Sequence, residues 1–159
     1  MRQRVWGIAV AFALLGMTVP LAAQGSLPYL TARENVALCA ALAGVSDPQT
    51  RATTLLSEVS LGERATHRPN QLSGGERQRV GVACALAGDP AVVLADEITG
   101  ELDSATADRL VTLVIRLGRQ ARAAVLLVTH NPAVAMRADR VLRIEDGVLT
   151  PLLEVDRWR

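Results

Sequence analysis

Two short apolar runs, AVVLA at Ala91–Ala95 and AAVLLV at Ala123–Val128, bracket an amphipathic stretch, and this arrangement constrains the fold more than any other feature. Neither run alternates polar and apolar positions, and both are bounded by turn residues. That is the pattern of a strand buried on both faces of a parallel sheet. Between them Leu110, Leu113, Val114 and Leu117 share one face of a helix, with Ser104 placed to cap it. A strand–helix–strand order predicts an α/β layer.

Helices precede this layer. TARENVALCAALA at 31–43 carries Thr31 and Glu34 at capping-box spacing, puts Val36, Cys39, Ala40 and Ala43 on one face, and stops at Gly44. A second helix over 47–60 has Asp47 as cap and Pro48 at its first position. After Gly62 and a THRPN loop, Ser73 and Glu76 repeat the capping box. Val80, Ala83, Cys84 and Ala87 then form an apolar face, and Gly88 and Pro90 stop the helix. Asn131-Pro132 opens a short helix, and Asp146-Gly147 joins two short strands as a hairpin. The expected organisation is a helical part over about 31–88 followed by an α/β part over about 89–150, within one unit spanning 24–159.

The chain has 159 residues, which suits one domain with a core of its own. Its net charge is +1, with no clustered basic excess, so nucleic acid is not an expected partner. All 17 basic residues are arginine and none is lysine. Cys39 and Cys84 are too few and too far apart in sequence for a disulfide framework or a zinc site, and read as small buried residues.

Residues 1–23 are ambiguous. Two arginines lead an uncharged stretch from Val5 to Ala23, as in a secretory signal peptide, and the run is near the ~20 residues of a spanning helix. It also reads as a non-native start to a misread or truncated gene, or as an ordinary buried strand and helix. The nucleotide motifs downstream favour the non-native start, and export is the minority reading.

The sharpest motif is Leu72-Ser73-Gly74-Gly75-Glu76. Two glycines at a helix start leave backbone N–H groups uncovered where the helix dipole is positive, which suits a phosphate. Alone, such a turn is a plain helix cap. Here the apolar strand that follows delivers Asp96 and Glu97 at its carboxyl end, a place for a magnesium ligand and for a carboxylate that polarises water. Asp103 comes six residues later, and His130 ends the next strand where a γ-phosphate sensor would sit.

LSGGERQRVGVACALAGDPAVVLADEITGELD, followed by LLVTHNPAVAMRADRVLRIEDGVL, resembles the nucleotide-binding subunit of ATP-binding-cassette (ABC) transporters, and most of all the lipoprotein-releasing and macrolide-export group. The likeness runs from about residue 24 to 149. It implies a partial P-loop NTPase-type parallel sheet with a helical signature subdomain, ATP and Mg²⁺ as ligands, and partnership with a membrane subunit and a second ATPase subunit. The implied location is peripheral, on the cytoplasmic face of a membrane. By the same resemblance Leu72, Ser73, Gly74, Gly75 and Glu76 form the signature that meets ATP held by the partner. Asp96 orders magnesium, Glu97 is the catalytic glutamate and His130 the switch histidine. Asp103 belongs to the dimer-interface loop, and Gln24 matches the glutamine loop.

The departures matter as much. The phosphate-binding loop G-x-x-x-x-G-K-[ST] is missing, and Gly7 and Gly16 are the only glycines ahead of Gln24. Ile98 stands where the family usually has proline. The expectation is therefore a chain lacking the N-terminal lobe of a cassette and inactive alone, with its status as an enzyme open. The alternative is a non-catalytic partner whose signature completes the site of an intact subunit. A DNA-repair ATPase of the same superfamily is disfavoured, since only 47 residues (25–71) separate the glutamine loop from the signature.

Overall fold

In the computed structural model, residues 26–100 and 102–151 are described. The readings made for residues 1–23 and for Gln24 lie outside them.

Three helices form the first layer. Helix α1 (Ala32–Leu42) opens with the Thr31/Glu34 capping box, and Gly44 leaves it at φ +80°. Helix α2 (Pro48–Glu58) is capped by Asp47, whose side chain accepts from the Thr50 N–H. Two 3₁₀ turns, Gly62–Arg64 and Pro69–Gln71, lead to α3 (Gly74–Leu86), where the Ser73/Glu76 box is formed. The three helices pack mutually around Val36, Ala40, Ala52, Leu56, Val80 and Ala83, each at most 1% exposed. Arg51 locks the end of α3, donating to the carbonyls of Leu86 (2.9 Å) and Ala87 (3.2 Å) and pairing with Asp89.

The second layer begins with β1 (Val92–Asp96), continues through α4 (Ser104–Gln120) and returns as β2 (Ala124–Val128). The strands run parallel, with Asp96 opposite Val128. Helix α3 packs on α4, and α4 on β2, with Gly118 of α4 so close to β2 that a Cβ there would fall 2.4 Å from a Val125 methyl. A short helix, α5 (Pro132–Ala135), is capped by Asn131. The hairpin β3 (Leu142–Glu145) and β4 (Val148–Pro151) turns through Asp146 at φ +47° and Gly147 at φ +82°, as a two-residue turn requires.

Two expectations are corrected. The apolar runs do not make doubly buried strands: Ala124, Leu126 and Val128 of β2 are exposed, because among the described residues helices cover only one face of the pair. And Ser104 does not cap α4. Asp103 does, accepting from the Thr106 N–H at 3.0 Å, since aspartate caps as well as serine and stands one residue nearer the turn. No helix among the described residues is long and apolar enough to cross a membrane.

Candidate functional site

The residues singled out from the sequence fall into two groups. The first lies at the carboxyl end of the parallel pair. Asp96 closes β1, and the Glu97 N–H donates to the carbonyl of Val128 (3.0 Å), which keeps the next residues of both strands side by side. Glu97 adopts φ +47°, a left-handed conformation uncommon for a residue with a side chain. Its Oε1 accepts twice from His130, from the backbone N–H at 3.1 Å and from Nδ1 at 2.9 Å. A carboxylate can only accept, so Nδ1 carries the proton and Nε2 points elsewhere. The side chain of His130 is 83% exposed and that of Glu97 41%, so the pair is open to an incoming ligand. The Asp96 side chain makes no hydrogen bond or ion pair to the described residues.

The following residue supports this turn from below. Ile98 is 7% exposed and packs with Ala95, Leu110 and Val114 in a second apolar cluster. Isoleucine at this position is thus an anchor for the strand end rather than a gap.

The second group surrounds the start of α3. Ser73 Oγ accepts from the Glu76 N–H (3.2 Å), and Glu76 Oε2 accepts from the Ser73 N–H (2.8 Å). The Gly74 and Gly75 N–H groups are the first two of the helix and have no intrahelical acceptor. The Glu76 carboxyl is held below its usual range, chiefly by the Ser73 N–H, and Arg64 lies 3.6 Å from it. Leu72 is buried, and its carbonyl accepts from Arg77 (2.8 Å).

Ser73, Gly74 and Gly75 share a cleft of about 640 Å³ with Asp103, Thr106, Arg79 and Arg109. Asp103 is likewise held below the usual carboxylate range by the Thr106 hydroxyl and N–H. Arg79 and Arg109 escaped the sequence reading. Arg79 is four residues after Gly75, one helical turn on, so its presence beside the glycines was available from spacing. Arg109, which donates to Thr106 Oγ1 at 3.1 Å, needed the fold. Among the described residues Arg79 Nε is buried without a partner. Two guanidinium groups and an uncovered helix start give the cleft an anion-attracting wall.

No hydrogen bond joins the two groups among the described residues. Nor do those residues hold a cluster of three or more potential metal ligands. The donor set at β1 fits a hard cation only in part, since Asp96 offers one uncommitted carboxylate. Mg²⁺ commonly takes one or two protein carboxylates and completes its shell with water and phosphate.

The sequence profile of a family described as ABC transporter matches residues 16–100, just over half of the chain. The chain belongs to the ABC transporter family. Among individual relatives, the lipoprotein-releasing system ATP-binding protein LolD of Novosphingobium aromaticivorans is 51% identical over 125 residues, covering 77% of this chain and 56% of its own length. LolD of Paramagnetospirillum magneticum is 50% identical over 125 residues, covering 77% and 55%. The macrolide export ATP-binding/permease protein MacB of Syntrophobacter fumaroxidans is 45% identical over 129 residues, 79% of this chain but 18% of MacB. This ABC chain thus spans little more than half the length of the LolD relatives it matches. In structure it resembles the dimeric cassette MJ0796 in a post-hydrolysis state bound to ADP and Pi, with a TM-score of 0.71 and 33% identity over 87% of this chain and 63% of that one. The likeness assigns the fold: the α/β cassette of P-loop NTPases, with a parallel sheet and helices, present over part of the cassette's length.

Proposed function

We propose that this chain is an ATP-binding subunit of an ABC transporter, acting in the family role of coupling ATP binding and hydrolysis to movement of cargo across a membrane, and that it does not hydrolyse ATP by itself. The observation that carries the reading is the cleft at the start of α3. The Ser73 hydroxyl, the Gly74 and Gly75 N–H groups, Arg79 and Arg109 face one space of about 640 Å³ that suits a terminal phosphate. The sequence as given holds no lysine, so the group that reaches the β- and γ-phosphates in a P-loop is not among its residues.

In this reading Leu72–Glu76 meets a nucleotide held by a second ATPase subunit, with Asp103 at the seam between them. Glu97 is the base that orients and polarises water. The two donors from His130 fix one carboxylate oxygen and leave the other for that water, while His130 Nε2 is left to face the γ-phosphate. Asp96 would hold Mg²⁺, which neutralises phosphate charge when bound. Gln24 would serve as the glutamine that senses magnesium and the membrane subunit. Leu27 and Tyr29 (85% exposed), just before α1, are exposed apolar side chains that suit contact with such a subunit. The location is peripheral, on the cytoplasmic face. The names of the relatives point to lipoproteins or macrolides as cargo, and the choice rests with the membrane subunit.

A second reading, favoured by the same cleft, is a non-catalytic partner that completes the site of an intact subunit. Mixing this chain with an intact cassette whose own signature serine and glycines are mutated should restore ATPase activity, and Gly75→Asp in this chain should abolish the gain. No gain over the mutated cassette alone would sink both the role of the cleft and the trans arrangement.

A further inference from the structure

His130 has little of its own to hold it. Its side chain is 83% exposed, and among the described residues the ring bonds only to Glu97. The residues that follow are better fixed. The Asn131 N–H donates to Thr129 Oγ1 (3.0 Å), and Asn131 Oδ1 accepts from the Ala133 N–H (3.0 Å). The N–H groups of Ala135, Met136 and Arg137 then donate to the carbonyls of Asn131, Pro132 and Val134. The stretch from His130 to Arg137 is therefore one hydrogen-bonded strap, with Val134 (6% exposed) as its buried side chain.

Arg137 fastens the far end of the strap to α4. Its Nη1 donates to the Asp108 carboxylate (2.6 Å) and to the Asp108 carbonyl (3.2 Å), and its Nη2 donates to Thr112 Oγ1 (2.9 Å). The Thr112 hydroxyl donates in turn to the Asp108 carbonyl (2.8 Å), which closes the network. An exposed ion pair by itself holds little. Here a planar fork spans two residues about one helical turn apart, and the Arg137 side chain is 31% exposed. A looser pair, Asp139 with Arg119 of the same helix at 3.8 Å, lies just beyond.

We infer that Arg137 is a positioning residue for His130: by clamping the strap to α4 it sets the ring so that Nδ1, rather than Nε2, carries the proton and meets Glu97. Which ring nitrogen is protonated follows the hydrogen bond available to it. With the strap held, Nδ1–H faces a carboxylate oxygen that can only accept. With the strap loose, the exposed ring turns freely and that preference is lost. Helix α4 also lines the cleft with Thr106 and Arg109, so both groups of the site are referred to one rigid element. The chemical role of Glu97 and His130 rests on the proposed function; the placement of the ring does not depend on it.

The chain holds two histidines, and the second supplies a control. His67 Nε2 lies 3.1 Å from Arg64 Nη1, and arginine only donates, so His67 also carries its proton on Nδ1. In two-bond proton–nitrogen spectra of the full ¹⁵N-labelled chain at about pH 8.5, above the ordinary histidine range, both rings should be mainly in the Nδ1–H form. Arg137→Ala should shift His130 to a mainly Nε2–H form and leave His67 unchanged. Arg137→Lys, which can reach Asp108 but cannot span to Thr112 as well, should fall between. Leu56→Ala, destabilising but remote, should move neither ring. His130 that is mainly Nε2–H in the wild type, keeps its form in Arg137→Ala, or moves as far in Leu56→Ala overturns the proposal. Should Arg137→Ala fail to fold, Asp108→Ala with Thr112→Val removes two of the three bonds from the α4 side and must give the same shift. Failed ATPase complementation with these tautomers as expected would sink the proposed function and leave the placement of His130 standing.

Discussion

Val36 and Ala40 on α1, Ala52 and Leu56 on α2, and Val80 and Ala83 on α3 are each at most 1% exposed, whereas Leu126 and Val128 on β2 are 44% and 48% exposed and every residue of the β3–β4 hairpin is exposed. The strands are no less apolar than the helices. What differs is cover. Three helices packed around one another bury a stripe on each, and each helix satisfies its own backbone. A two-stranded parallel pair has two faces and two edges, and α4 with α3 covers only one face among the described residues. Hydrophobicity in a sequence records how much cover a segment needs; the packing shows how much it has.

The sharpest way to break this contrast is a pair of truncations. Leu56→Ala in the helical layer should cost about 3 kcal/mol in urea unfolding, within the range for a leucine whose cavity cannot collapse. Leu126→Ala on the outer face of β2 should cost less than about 1 kcal/mol, because much of that side chain is already in water. Equal costs would mean that the outer face of β2 is covered in solution.

Next in size is a test of close approach in each layer. A Cβ on Gly88 would meet Ala43 Cβ at 2.5 Å, and one on Gly118 would meet Val125 Cγ2 at 2.4 Å. Neither neighbour is the end of a flexible chain, so each alanine should cost roughly 1–3 kcal/mol of overpacking. Gly118 lies within α4, where alanine regains about 1 kcal/mol of helix propensity, and Gly88 lies beyond α3, where it regains none. Gly88→Ala should therefore be the more destabilising. The reverse order, measured by thermal or urea unfolding, would show that the strand layer is the stiffer of the two.

A smaller effect joins stability to the cleft. Ser73→Ala removes the acceptor for the Glu76 N–H and should lower stability by about 1 kcal/mol. In the complementation assay it should reduce restored ATPase activity by more than the fraction of unfolded chain explains. If activity tracks folding alone, the Ser73 hydroxyl is only a cap.

How far the sequence could be read follows the range of the interaction. Thr31 with Glu34, Asp47 with Pro48, Ser73 with Glu76 and Asp146 with Gly147 each act within four residues, and every one of these caps and turns forms as expected. Asp103 against Ser104 was a contest between two good caps at adjacent positions, and only the turn geometry settles it. The Glu97–His130 contact spans 33 residues, and it was foreseeable because both stand at the ends of strands that pair in register. Nothing local links Arg51 to the end of α3, because that meeting depends on how the helices stack.

The smallest predicted effect separates the capping carboxylates by layer. Glu34, Asp47, Glu76 and Asp103 are all held below their usual range, chiefly by hydrogen bonds from the helix starts they cap. A carboxyl lower in the folded chain than in the unfolded one adds stability that is complete above the unfolded value, about 4, and is lost as pH falls through the folded value. Stability should thus change little from neutrality to about pH 5 on account of these groups, and fall below about pH 4. Asparagine caps a helix about as well as aspartate but does not titrate. Asp47→Asn and Asp103→Asn should leave the urea midpoint at neutral pH nearly unchanged and flatten the acid fall. Amide exchange read separately over α2 and α4 assigns each change to its layer: Asp47→Asn should spare α2, and Asp103→Asn should spare α4. Protection of both helices by either single change would show that the two layers unfold as one unit in acid, despite their unequal cover.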